Sequence, residues 1–245
     1  MGNPRHIRFL ASVRNEDEAR LALAEGADII DCKEPASGAL GALPLEVVAA
    51  VRRAIPAQIP VSATVGDLPC EAAALCGAAQ TMAGTGVDYV KVGLFPGTEA
   101  KAAIAELGRL DLGRSRLVAV MFADLEPDFS LIANMTAAGF AGVLLDTAGK
   151  SSGAIVEHMT HGQMAQFVAM VRANALFAGL AGSLRLEHIA PLRMLAPDIL
   201  GFRGALCTGS QRQGALDVIS TRAVARALKG RAETQQFAGP EALAS

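Results

Sequence analysis

The chain has no tryptophan, one tyrosine and four histidines, and its 22 basic and 24 acidic residues nearly cancel to a formal net charge of −2. With no basic field and only 4% aromatic residues to stack on, neither nucleic acid nor an anionic membrane surface is expected as a partner. The four cysteines, Cys32, Cys70, Cys76 and Cys207, show no C-x-x-C spacing. They read as reduced thiols in apolar or helical surroundings, against a disulfide framework or a zinc site and in keeping with the cytoplasm. No apolar run is both long and charge-free enough to span a bilayer. The N-terminus lacks a basic stretch followed by an apolar leader, and His6 stands where a myristoylation signal requires Ser or Thr. Neither G-x-G-x-x-G after the first strand nor a Walker A motif is present. His158 and His161 are not spaced as i, i+4 ligands, so no metal or organic cofactor is expected.

What is present is a large apolar fraction, 51% of 245 residues, broken by 25 glycines. That is enough for one extensive core. Short apolar runs alternate with amphipathic stretches throughout, which is the pattern of repeated βα units. Strands are expected over 7–13, 28–33, 60–65, 88–93, 116–122, 142–146, 176–180 and 198–203. Helices should begin near Asn15, Pro44, Pro69, Gly97, Asp128, His161, Arg185 and Asp217. Eight such units predict a single-domain TIM (β/α)8 barrel over residues 1–230, with a doubly wound sheet as the alternative. The polar tail, 231–245, is expected to fray or to pack against another subunit of a homo-oligomer.

Two lysines fall where this pattern should forbid them. Lys33 ends the apolar run 27–33, and Lys91 lies inside Asp-Tyr-Val-Lys-Val-Gly at 88–93. Burying an ammonium costs several kcal/mol unless it meets an anion or loses its proton. Alternation along a strand turns Asp31 to the same side as Lys33, so that carboxylate is expected beside that amine. Asp146 at the end of the sixth strand, Lys150 in the loop after it, and Ser62 and Thr64 on the third strand should face the same mouth. Asp67 and Asp124 are read as turn or cap residues, and His188 as structural.

The last two strands carry a second signal, Gly-Leu-Ala-Gly-Ser at 179–183 and Gly-Phe-Arg-Gly-Ala at 201–205. Loops at these places in a barrel often take phosphate through backbone N–H groups. Gly182, Ser183 and Gly204 are therefore candidate phosphate contacts, and Arg203 a bidentate partner for the anion. A neutral lysine adding to a carbonyl gives an iminium that acidifies the neighbouring C–H, and burial and a second cation both favour the neutral amine. Carboxylates such as Asp31 and Asp146 can then move protons. The implied chemistry is aldol, isomerisation or elimination on a carbonyl sugar phosphate.

The blocks Ala-Asp-Ile-Ile-Asp-Cys-Lys-Glu-Pro (27–35), Gly-Ala-Leu-Gly-Ala (38–42), Val-Ser-Ala-Thr-Val-Gly-Asp (61–67), Tyr-Val-Lys-Val-Gly-Leu (89–94) and Leu-Asp-Thr-Ala-Gly-Lys (145–150) follow in order. With Ala-Gly-Ser (181–183) and Arg-Gly-Ala (203–205), this series resembles the (5-formylfuran-3-yl)methyl phosphate synthases over most of the chain. The resemblance implies a barrel that joins two molecules of glyceraldehyde 3-phosphate into a furan aldehyde phosphate, losing phosphate and water, on the route to methanofuran-type C1 carriers. It also implies an active site of Lys33, Lys91, Asp31, Asp146 and Lys150. A class I aldolase or sugar-phosphate isomerase would use the same lysines without releasing phosphate. A non-catalytic barrel would bind a phosphorylated metabolite by ion pairing alone.

Overall fold

Eight parallel strands close on themselves in chain order, β8 returning to β1: β1 (Arg8–Val13), β2 (Ile29–Cys32), β3 (Val61–Thr64), β4 (Tyr89–Gly93), β5 (Arg116–Phe122), β6 (Gly142–Asp146), β7 (Phe177–Leu180) and β8 (Ile199–Phe202). This computed structural model describes residues 6–97, 99–149 and 153–230; Lys150 and the tail from residue 231 lie outside them. The architecture is the TIM barrel that the βα alternation predicts, with each strand lying within its expected span.

The outer ring is α1 (Glu16–Ala24), α2 (Leu45–Ala54), α3 (Ala72–Ala83), α4 (Ala100–Leu107), α5 (Ile132–Ala137), α6 (Ile155–His158), α7 (His161–Ala173), α8 (Ile189–Arg193) and α9 (Val218–Leu228). Asn15, Thr160 and Asp217 cap α1, α7 and α9 by accepting from backbone N–H groups of the first turn. The helix expected from Pro69 begins later, because Glu71 N–H first closes a turn onto the Pro69 carbonyl. The short α6 was not expected: four residues are too few to register a 3.6-residue period.

Strand alternation sorts the apolar residues into two cores. Phe9, Ala11 and Val13 of β1, with their counterparts on the other strands, pack outward against the helices. Leu10, Ile29, Val118, Leu144 and Ile199 point inward and fill the barrel axis. Tyr89 and Phe177 meet edge to face, with ring centroids 5.6 Å apart, below that layer. Gly179 makes room for it: a Cβ there would lie 2.7 Å from Leu144 Cγ. Ser12, Asp31, Lys91 and Asp146 each follow an inward apolar residue by two positions, so the apolar plug is the floor of a mouth at the C-terminal ends of the strands.

The opposite end is fastened by a repeated aspartate. Asp28, Asp88 and Asp198 each immediately precede an even-numbered strand. Each accepts a hydrogen bond from the start of the strand before it, from Phe9 N, Val61 N and Ala178 N at 2.8, 2.9 and 2.8 Å. Arg52 and Arg172 neutralise Asp88 and Asp198. Among the described residues, no helix is long and apolar enough to cross a membrane.

Candidate active site

Asp31 is fully buried, which for a carboxylate requires that its lone pairs be met. They are: Lys91 Nζ donates to Oδ1 and Oδ2 at 3.0 and 2.9 Å, Ser62 Oγ to Oδ1 at 2.6 Å, and Ser12 Oγ to Oδ2 at 2.9 Å. The two serines lie level with Asp31 on the flanking strands, in the registers Ser12↔Asp31 and Asp31↔Ser62. Lys33 makes a looser contact, Nζ to Asp146 Oδ2 at 3.2 Å, while the other Asp146 oxygen accepts from Thr147 N at 2.8 Å.

The structure thus brings Asp31, Lys33, Lys91 and Asp146 together but exchanges the expected partners: Asp31 holds Lys91, and Lys33 reaches Asp146. The reason is geometric. Residues two apart on a strand share a face but are separated by roughly 6.6 Å of rise, so Lys33 stands a layer above Asp31. A lysine reaching from another strand spans that difference more readily than one turning back along its own. Cys32 points the other way, into the outer core, where burial and then the Asp31 charge push its thiol well above the usual range and leave it inert.

Two further aspartates, read from sequence as turn residues, hold the loops of the mouth. Asp67 accepts from Ala39 N and Leu40 N at 2.7 and 2.6 Å, tying the loop after β2 to the loop after β3. Asp124 accepts from Ala148 N and Gly149 N at 2.8 and 2.6 Å and so shapes the loop that leads toward Lys150.

A cavity of about 260 Å³ opens above these groups, with the two lysine pairs on one side and the loops after β7 and β8 on the other. Gly182 and Ser183, at φ +92° and +49°, turn the first loop across the mouth. Gly204 lines the second loop, where an added Cβ would stand 3.3 Å from the Ser210 carbonyl. Arg203 also borders the cavity, but its five N–H donors already have protein acceptors. Nε reaches Arg212 O, one terminal nitrogen reaches Ser12 O and Glu18, and the other reaches Glu18 and Gly214 O. A guanidinium has no sixth donor, so Arg203 holds the loop after β8 to β1 and α1 in this arrangement. Burial opposes the Glu18 charge. The hydrogen bond and charge of Arg203, aided by Arg14, outweigh it and keep the carboxyl below its usual range.

Sequence reading missed Ser12, Glu18, Arg185 and Arg212. Ser12 could have been found by strand alternation, two residues beyond the inward Leu10. Arg212 lies in an irregular loop that carries no periodic signal.

Three comparisons bear on this site. The 4-HFC-P synthase family model matches residues 9–226. A Methylorubrum extorquens protein provisionally named (5-formylfuran-3-yl)methyl phosphate synthase is 44% identical over 210 residues, covering 86% of each chain. The (5-formylfuran-3-yl)methyl phosphate synthase of Methanopyrus kandleri is 36% identical over 234 residues, 90% of this chain and 98% of that one. Among solved structures, phosphoribosyl anthranilate isomerase from Thermus thermophilus superposes with a TM-score of 0.66 at 15% identity, over 91% of this chain and 99% of that one. At that identity the likeness speaks for the barrel alone.

Proposed function

The chain belongs to the 4-HFC-P synthase family, and on that premise we propose that it condenses two molecules of glyceraldehyde 3-phosphate into (5-formylfuran-3-yl)methyl phosphate through a Schiff base on Lys33. That it is a synthase follows from the family; the substrate, the covalent step and a place in furan-carrier biosynthesis are inferred.

One observation carries the reading: the mouth holds two lysine–carboxylate pairs of unequal tightness. Lys91 is gripped by both oxygens of a buried carboxylate that two serines also bind, which fixes its ammonium in place. Lys33 has one 3.2 Å contact, and Asp146 is placed to take its proton. Lys33 is thereby the amine that attacks the carbonyl, expelling water to form the iminium, and Asp146 is the base that frees it. The iminium at C1 withdraws electrons, so C2 is deprotonated to an enamine that expels phosphate from C3 and leaves an enol whose C3 is the nucleophile. The second triose, isomerised to its ketone form, accepts that carbon at its carbonyl; its free hydroxyl closes the ring onto C2 of the first unit, hydrolysis frees the aldehyde from Lys33, and loss of water gives the aromatic furan. Lys91 supplies positive charge beside the acceptor carbonyl oxygen that turns anionic as it is attacked, and Lys150 is assigned to bind phosphate or assist its departure.

Incubation with glyceraldehyde 3-phosphate, followed by ultraviolet absorbance, mass analysis and a phosphate assay, should show a furan aldehyde and free phosphate in step. An aldol product without phosphate release would replace this reading with a simple aldolase. Borohydride added during turnover should leave a triose-derived mass on the Lys33 peptide, and turnover with no adduct at any lysine would reject the Schiff base.

A further inference from the structure

The cations around the cavity are not equally neutralised. Lys33 faces Asp146, Lys91 faces Asp31 and Arg203 faces Glu18. Arg212, which lines the same cavity, makes no ion pair among the described residues. Its Nε is buried and has no hydrogen-bond partner there either. Buried donors in folded proteins are almost always met, so an unmet guanidinium N–H beside a cavity marks a place for an acceptor. Its backbone is also held in place: Arg203 Nε donates to the Arg212 carbonyl at 2.9 Å, and Arg203 is anchored by Glu18 on α1.

Around Arg212 the wall is built for an anion. Gly182 and Ser183 form a left-handed turn lining the same cavity, Gly204 lies beside the Arg212 Cβ at 3.8 Å as measured from an added Cβ, and Arg185, which also lines it, makes among the described residues only a 4.0 Å ion pair, to Glu187. None of these groups is a carboxylate.

We propose that Arg212, assisted by Arg185, holds the substrate phosphate at the β7–β8 side of the mouth, opposite the lysine pairs, and that Arg203 is a positioning residue that fixes the Arg212 backbone. The guanidinium fork of Arg212 takes two phosphate oxygens, and the triose chain extends from there across the cavity so that its carbonyl meets Lys33. The anion partner expected from sequence at Arg203 is thereby reassigned to the arginine whose backbone Arg203 holds. This inference rests on the proposed phosphorylated substrate, but its test does not need turnover.

Inorganic phosphate binding is measured by calorimetry on the full chain, with Arg212→Gln, Arg212→Lys and the outer-helix control Arg53→Gln. Arg212→Gln, shown folded by its thermal melt, should weaken phosphate binding roughly tenfold or more, with Arg212→Lys between it and the wild type because it keeps charge and loses the fork. With glyceraldehyde 3-phosphate, KM should rise in the same order and by more than kcat falls. Unchanged phosphate binding in either Arg212 variant, or an equal loss in Arg53→Gln, would overturn the assignment. Should Arg212→Gln fail to fold, the lysine variant decides. If the wild type makes no furan aldehyde while phosphate binding still depends on Arg212, the site stands and the proposed reaction falls.

Discussion

At the scale of single residues, Lys33 and Lys91 are both buried, basic and inward-facing, and their surroundings separate them. Lys91 is 4% exposed beside a carboxylate that has no access to solvent. Removing its ammonium leaves Asp31 as a buried charge with only serine hydroxyls, a loss of about 3–5 kcal/mol. Lys91→Ala should therefore lower the urea midpoint sharply, while Lys33→Ala, nearer the rim, should abolish turnover at a much smaller cost in stability. Equal denaturation midpoints for the two variants would contradict the assignment of a fixed cation to Lys91. Lys91→Arg keeps the charge in a different shape and should retain partial activity where Lys91→Ala has almost none. If both are equally inactive, Lys91 acts by proton transfer or covalently.

At the scale of elements, the strands are joined at their N-terminal ends by side chains as well as by the ladder. Asp88 receives Val61 N from β3 and pairs with Arg52 from α2. Asp88→Ala strips a partner from a partly buried backbone N–H and an arginine at once, and should destabilise the barrel by about 1–3 kcal/mol. Because this end lies away from the mouth, the variant should keep its KM at a temperature where it is folded. A normal urea midpoint would show that the aspartate is dispensable. In the sequence, Asp28, Asp88 and Asp198 stand only as the first residues of the strands expected over 28–33, 88–93 and 198–203; their partners on β1, β3 and β7 are long-range.

At the scale of the whole molecule, the barrel is closed where β8 meets β1, and the Glu18 and Arg203 pair lies on that seam. The Glu18 carboxyl is held below its usual value of 4.5 in the folded protein. A carboxyl depressed on folding contributes stability that is fully present above its unfolded pKa and is lost as pH falls through the folded one. The melting temperature should therefore drop as pH falls below about 4.5. Glu18→Gln should be less stable than the wild type at neutral pH and should lose less on acidification. Parallel melting curves for the two proteins across that range would show that Glu18 contributes nothing to the acid response.

Much of this was legible without coordinates, for identifiable reasons. Strand alternation is local, so the inward direction of Asp31, Lys33, Lys91 and Asp146 and the eightfold βα order could be read from spacing alone. Partner choice is not local. Asp31 binding Lys91 in place of Lys33 depends on strand stagger and on reach between strands. Whether Arg203 or Arg212 is left to meet an anion depends on Glu18, 185 residues away in the chain. Sequence order specifies which face of a strand a side chain occupies, whereas ion pairing requires the distances that closure of the barrel sets.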